Sequence, residues 1–190
     1  MKKNIIAIAI LLGFTTLSCE TKKTDTEISN EINISEDTLK NSNDTIQKEV
    51  TEFSEITLNK EFKTIDSNSK TFQTIISESI GKTIVIDVWA SWCPDCIKGF
   101  PALEKVQEQY PNVSYVFISL DKTEEAWKTA IEKYDLKGSH FYLNEKMKGE
   151  FGKSINLDWI PRYIIVDKNG KIANYKSIVA DDQTFLNTIQ

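Results

Sequence analysis

The strongest pattern along the chain is the apolar run Thr83-Ile-Val-Ile-Asp-Val-Trp89, rich in β-branched residues and interrupted only by Asp87. Such a run predicts a strand buried on both faces. After a short Ala-Ser-Trp turn, Ala102, Leu103, Val106 and Tyr110 recur at helical spacing, so a helix runs from Cys93 until just before Pro111. Val113 to Leu120 is a second apolar strand. Thr123 then fits the N-cap of a helix that buries Ala126, Trp127, Ala130, Ile131 and Tyr134. Strand, helix, strand, helix is a βαβ pattern with parallel pairing, which sets the class as α/β.

The flanks extend this core. Phe62 to Ile65 predicts a first strand, and Thr71 to Ser79 a helix presenting Phe72, Ile75, Ile76 and Ile80. Gly81-Lys82 punctuates the chain before the central strand. Further on, Phe141-Tyr-Leu predicts a short strand, and Glu145 to Phe151 a short helix broken by Gly149 and Gly152. Tyr163 to Asp167, Lys168-Asn-Gly-Lys and Ile172 to Tyr175 read as a hairpin, with Asn169-Gly170 tolerating the positive φ of a tight turn. A last helix starts near Asp182 and buries Phe185, Leu186 and Ile189.

Ahead of residue 61 the pattern is different. Met1-Lys-Lys-Asn followed by the apolar stretch Ile5 to Phe14 reads as a secretory signal peptide over residues 1–18, too short for a conventional span. Residues 20–60 hold Thr, Asn, Ser, Asp, Glu and Lys with isolated Ile and Leu, and no Gly or Pro. Such a segment buries too little apolar surface to offset its ordering entropy, so residues 19–60 read as a charged tether. As flexible chain it would span about 35 Å on average. The folded domain is thus expected at 61–190. Overall, 40% hydrophobic and 27% charged residues describe an ordinary globular chain, and a net charge of -5 gives no reason to expect nucleic acid.

Chemistry concentrates at Cys93-Pro-Asp-Cys96. One helical turn apart, the two sulfurs can face the same way and close a bond. A helix start favours a thiolate, through unpaired N–H groups and the positive end of the dipole. The competing reading is half of a zinc site, for which only Cys19 and His140 remain as further Cys or His ligands. His140 otherwise reads as a surface or loop histidine. The expectation is a redox pair with no metal and no organic cofactor.

Asp-Val-Trp-Ala-Ser-Trp-Cys-Pro-Asp-Cys resembles the active-site segment of the thioredoxin superfamily, and Ile97-Lys-Gly-Phe-Pro-Ala-Leu-Glu104 is similar to its membrane-anchored TlpA/ResA branch. The resemblance covers about residues 60 to 190. It implies a thioredoxin-like fold, a central mixed β-sheet flanked by helices, and extracytoplasmic thiol–disulfide oxidoreductase activity. It implies a cis Pro161 packed against the disulfide, with the backbone of Ile160 pairing with substrate; a simple strand-start proline is the plainer alternative. Cys93 would attack and Cys96 resolve. Asp87 matches the buried Asp six positions before the first cysteine, where desolvation would raise its pKa and suit it to take the Cys96 proton. The alternative is an outward, solvated Asp87, which strand alternation permits.

Trp92, Pro94 and Asp95 complete the expected substrate-facing set, Trp92 as shape beside the sulfurs and Trp89 as core. Asp95 stands where strongly oxidising relatives with Pro first have His. A carboxylate opposes a thiolate by roughly 1–3 kcal/mol at about 6 Å, which favours a reducing couple, while the helix dipole and Lys98 act the other way. Leu17-Ser-Cys19 resembles the end of a bacterial lipobox, with Thr16 where Leu is usual; Cys19 would then carry lipid and anchor the chain in a membrane of the cell envelope. An ordinary signal peptide with an incidental cysteine is the alternative.

The implied partners are cysteine-containing exported proteins, apocytochrome c being a candidate, and a membrane electron donor of thioredoxin-reducing type. An oxidase or isomerase, and a non-catalytic binding lipoprotein with a thioredoxin shell, are the other readings. A thiol peroxidase would place Thr where this chain has Ala90.

Overall fold

The computed structural model describes residues 50–190; the segments expected as signal peptide and, up to residue 49, as tether lie outside the described residues, Cys19 with them. Within residues 50–190, α1 (Glu55–Leu58) precedes β1 (Glu61–Thr64) and β2 (Ser69–Thr71), which form a hairpin, and α2 (Phe72–Ser77). The centre of the chain runs β3 (Ile84–Trp89), α3 (Pro94–Gln109), β4 (Ser114–Ser119), α4 (Glu124–Lys133) and β5 (Ser139–Tyr142). It closes with α5 (Glu150–Ser154), β6 (Arg162–Val166), β7 (Ile172–Ser177) and α6 (Gln183–Ile189). The strands form one seven-stranded mixed sheet in the order β2-β1-β5-β4-β3-β6-β7.

β3 is parallel to β4 on one side and antiparallel to β6 on the other. All six residues of β3 are buried, as expected for a strand covered on both faces. Val85, Asp87 and Trp89 alternate onto one face, where Trp89 meets Phe100 of α3 edge-on and Tyr163, the partner of Asp87, meets Phe185 of α6. The opposite face carries a second aromatic cluster of Phe62, Phe72 and Phe151, contributed by β1, α2 and α5. The chain leaves β3 at its carboxyl end, beside the point where strand order reverses; α/β sheets place their sites there.

Several boundaries differ from the pattern. Packing begins about ten residues before the expected domain start: Val50, Phe53 and Leu58 lie against the core, and Ile172 N–H donates to Thr51 O at 2.9 Å. The polar edge strand β2 takes Thr71, which turns out to be the N-cap of α2, and Ile80 is half exposed beyond that helix. In the β6–β7 turn only Gly170 has positive φ, and the Asp167 carboxylate accepts from the N–H groups of Asn169 and Lys171.

Residues 145–149 are not helical. Gly149 is instead the N-cap of α5, and Gly152 lies inside it, where a Cβ would overlap the Met147 carbonyl. Gly152→Ala is therefore expected to displace the 145–148 loop and cost about 1–3 kcal/mol, read as a lower urea midpoint at unchanged slope.

Candidate active site

Cys93 is the N-cap of α3, with Pro94 as the first helical residue; this is the position where the missing proline N–H costs nothing. Its sulfur accepts from Cys96 N–H at 3.1 Å and is joined to the Cys96 sulfur in a disulfide, the Cα atoms lying 5.3 Å apart. Cys96 is completely buried and Cys93 is 4% exposed, so the first cysteine is the more accessible. The Ile160–Pro161 peptide bond is cis, and Ile160 O lies 3.5 Å from the Cys93 sulfur. Trp92, Pro94 and Asp95 are exposed around the bond, whereas Ile160 and Pro161 are buried behind it. Asp95 lies 3.5 Å from Lys98 Nζ, one turn on, so its charge is partly balanced.

Asp87 is 1% exposed, and neither carboxylate oxygen has a hydrogen-bond partner. Burial alone pushes its pKa well above the usual carboxylate value. The solvated alternative does not hold. Asp87 shares the α3-covered face with Tyr163, whose hydroxyl is also buried without a partner and lies 3.2 Å from where a Cβ on Gly99 would be. Burial, and then the Asp87 charge, raise the Tyr163 phenol well above its ordinary value.

Two supports were not singled out in the sequence. Asp121, buried just past β4, accepts from Ser91 N–H at 3.0 Å and from the hydroxyls of Ser91 and Ser119 at 2.6 and 2.8 Å. It thereby clamps the turn that delivers Cys93; a polar Ser-Leu-Asp end on an apolar strand, paired with Ser91 in the turn, was the available signal. Arg162 is buried directly after Pro161 and donates to Asp158, which also accepts from Lys176, so the loop carrying the cis bond is tied to β6 and β7. His140 is not a loop residue. It stands on β5, stacked on Phe117, and its Nε2 donates to Leu136 O at 2.9 Å. Burial lowers its pKa. No group of three or more His, Cys, Asp and Glu among the described residues could hold a metal.

A disulfide capping a helix at the carboxyl end of a central strand, against a cis-proline loop and with a buried carboxyl on that strand, defines a thioredoxin-like fold. Residues 81–172 match the family model described as thioredoxin-like. The chain is similar to the thiol-disulfide oxidoreductase ResA of Bacillus thuringiensis subsp. konkukian, at 29% identity over 94 residues, 48% of this chain and 53% of that protein. It is similar to the thioredoxin-like protein YneN of Bacillus subtilis, at 30% identity over 105 residues, 51% of this chain and 57% of that one. The chain thus spans about half the length of the curated relatives it matches. Among solved structures, the thioredoxin domain of a thiol-disulfide oxidoreductase from Bacteroides vulgatus superposes with a TM-score of 0.58 at 25% identity, covering 68% of this chain and 89% of that one. The ResA relatives agree with the branch that the cysteine motif resembles.

Proposed function

We propose that this chain is a thiol–disulfide oxidoreductase of the cell envelope that reduces disulfides of exported polypeptides. The observation that carries the reading is the Cys93–Cys96 disulfide at the start of α3, beside the cis Ile160–Pro161 bond. In the reduced protein, the Cys93 thiolate attacks one sulfur of a substrate disulfide, forming a mixed disulfide and releasing one substrate thiolate. Asp87 takes the proton of Cys96, whose thiolate then attacks the Cys93 sulfur. That step expels the second substrate thiolate and closes the intramolecular disulfide, so two electrons pass to the substrate. A membrane electron donor of thioredoxin-reducing type restores the dithiol.

Trp92, Trp159, Ile178 and Val179 are exposed apolar side chains at this end of the sheet, the last two following Ser177, which pairs with Tyr163. Together with Pro94, Asp95 and the Ile160 backbone they suit a polypeptide substrate. Lipid on Cys19 would hold the domain at the membrane on a charged tether.

The direction of electron flow is tested by the equilibrium potential of Cys93/Cys96 against a defined thiol buffer. The expected value is near or below about -250 mV, in the thioredoxin range. A value of about -120 to -180 mV would assign an oxidase or isomerase instead.

A further inference from the structure

Beside the disulfide, on the Trp92 side, lies a cavity of about 550 Å³ whose wall is mainly apolar. Trp92, half exposed and next in sequence to Cys93, forms one side; Leu120 forms the floor and Met147 the far side. The far wall is held in place, since the Met147 carbonyl sits against Gly152 and Gly149 N–H donates to Lys146 O at 2.7 Å. The rim is basic. Lys122, Lys146 and Lys148 are exposed, and none has a carboxylate partner among the described residues; Lys148 donates only to the Leu157 carbonyl, at 3.2 Å.

The two acidic residues of the cavity are committed elsewhere. The Asp121 carboxylate is taken up by Ser91 and Ser119, and Glu145 by Lys60 and by Phe151 N–H. A chain of net charge -5 therefore shows an uncompensated positive rim next to its reactive sulfur. Carboxylates on a partner would be drawn there, and an apolar side chain would be dried by the wall.

We propose that this groove, walled by Trp92, Leu120 and Met147 and rimmed by Lys122, Lys146 and Lys148, selects substrate segments in which the target cysteine is flanked by an apolar residue and carboxylates. The assignment rests on the exchange activity proposed above and names its substrate class. An apolar side chain fills the groove while the carboxylates meet the lysines, and the substrate cysteine is delivered to Cys93.

The test uses the full chain and two disulfide-bonded peptide pairs with the same apolar residue beside the cysteine, one flanked by Glu and one by Lys. The unmodified protein is expected to reduce the Glu peptide about tenfold faster at low salt, with the ratio falling toward one as ionic strength rises. In Lys122→Glu combined with Lys146→Glu the ratio inverts. In Lys82→Glu combined with Lys168→Glu, which makes the same charge change at the opposite end of β3, the Glu preference persists. A ratio near one in the unmodified protein, or a Glu preference that survives reversal of the rim, would overturn the proposal while leaving the exchange reading intact. Failure of the unmodified protein to reduce a small uncharged disulfide in parallel would overturn both.

Discussion

Cys93→Ser is expected to bring thiol–disulfide exchange down to background, a loss on the order of 10³-fold or more, because the hydroxyl cannot act as the attacking thiolate. Cys96→Ser should behave differently. Cys93, the more accessible sulfur at the helix start, still attacks, but nothing buried one turn in resolves the intermediate. The variant therefore accumulates a mixed disulfide, visible as a mass increase that a small reductant reverses. The expected asymmetry follows the geometry: Cys93 Sγ sits in the cap and accepts the Cys96 N–H, whereas Cys96 is fully buried in the core. Equal trapping by both variants would contradict this order of attack, and full biological activity of Cys93→Ser would favour a binding protein over an enzyme.

The parts of the fold that could be read from the sequence are those where one residue pattern decides the outcome. β3 is apolar at every position but one because both of its faces are covered, and the Thr123 and Asp182 caps are local hydrogen bonds to Ala126 and Phe185 N–H. What escaped reading depends on partners outside the segment itself. β2 is Ser-Lys-Thr, with no alternation of its own, and exists because β1 pairs with it. α1 has four residues and is held by its Ser54 cap and by Thr57, whose hydroxyl donates to Ser154 in α5. The same division runs through the site. Cys93, Cys96 and Asp87 are adjacent in one stretch and stand out there. Asp121, Tyr163 and the 145–148 loop reach it only through the register of β4, the pairing of β6 and the tight packing of Gly152 on Met147.

Asp87→Asn should make the protein more stable and less active at neutral pH, and the two effects have one origin. The folded state holds this carboxyl where no donor meets it, so its pKa is raised above the unfolded value of about 3.9. Below that value both states are protonated and the aspartate imposes no electrostatic cost. As pH rises through the window between the unfolded and folded values, the unfolded chain ionises first and stability is lost, by at most about 1.4 kcal/mol per pH unit. Above the folded value the loss is complete and constant. Asparagine cannot ionise, so urea unfolding of the oxidised proteins should give similar midpoints near pH 4 and a growing advantage for Asp87→Asn above it.

Exchange should move the other way, falling about 10²-fold near pH 7, where Cys96 needs a base, and recovering at alkaline pH, where the thiol ionises unaided. Tyr163 pairs with Asp87 across the strands, but its hydroxyl makes no hydrogen bond and its phenol, raised well above its ordinary value, stays neutral here, so Tyr163→Phe should leave the pH profile in place. An Asp87→Asn variant that lost stability at pH 7 and kept its exchange rate would mean that the carboxyl is a structural group. A variant that gained stability while losing rate would identify it as a group retained for proton transfer at the expense of the fold.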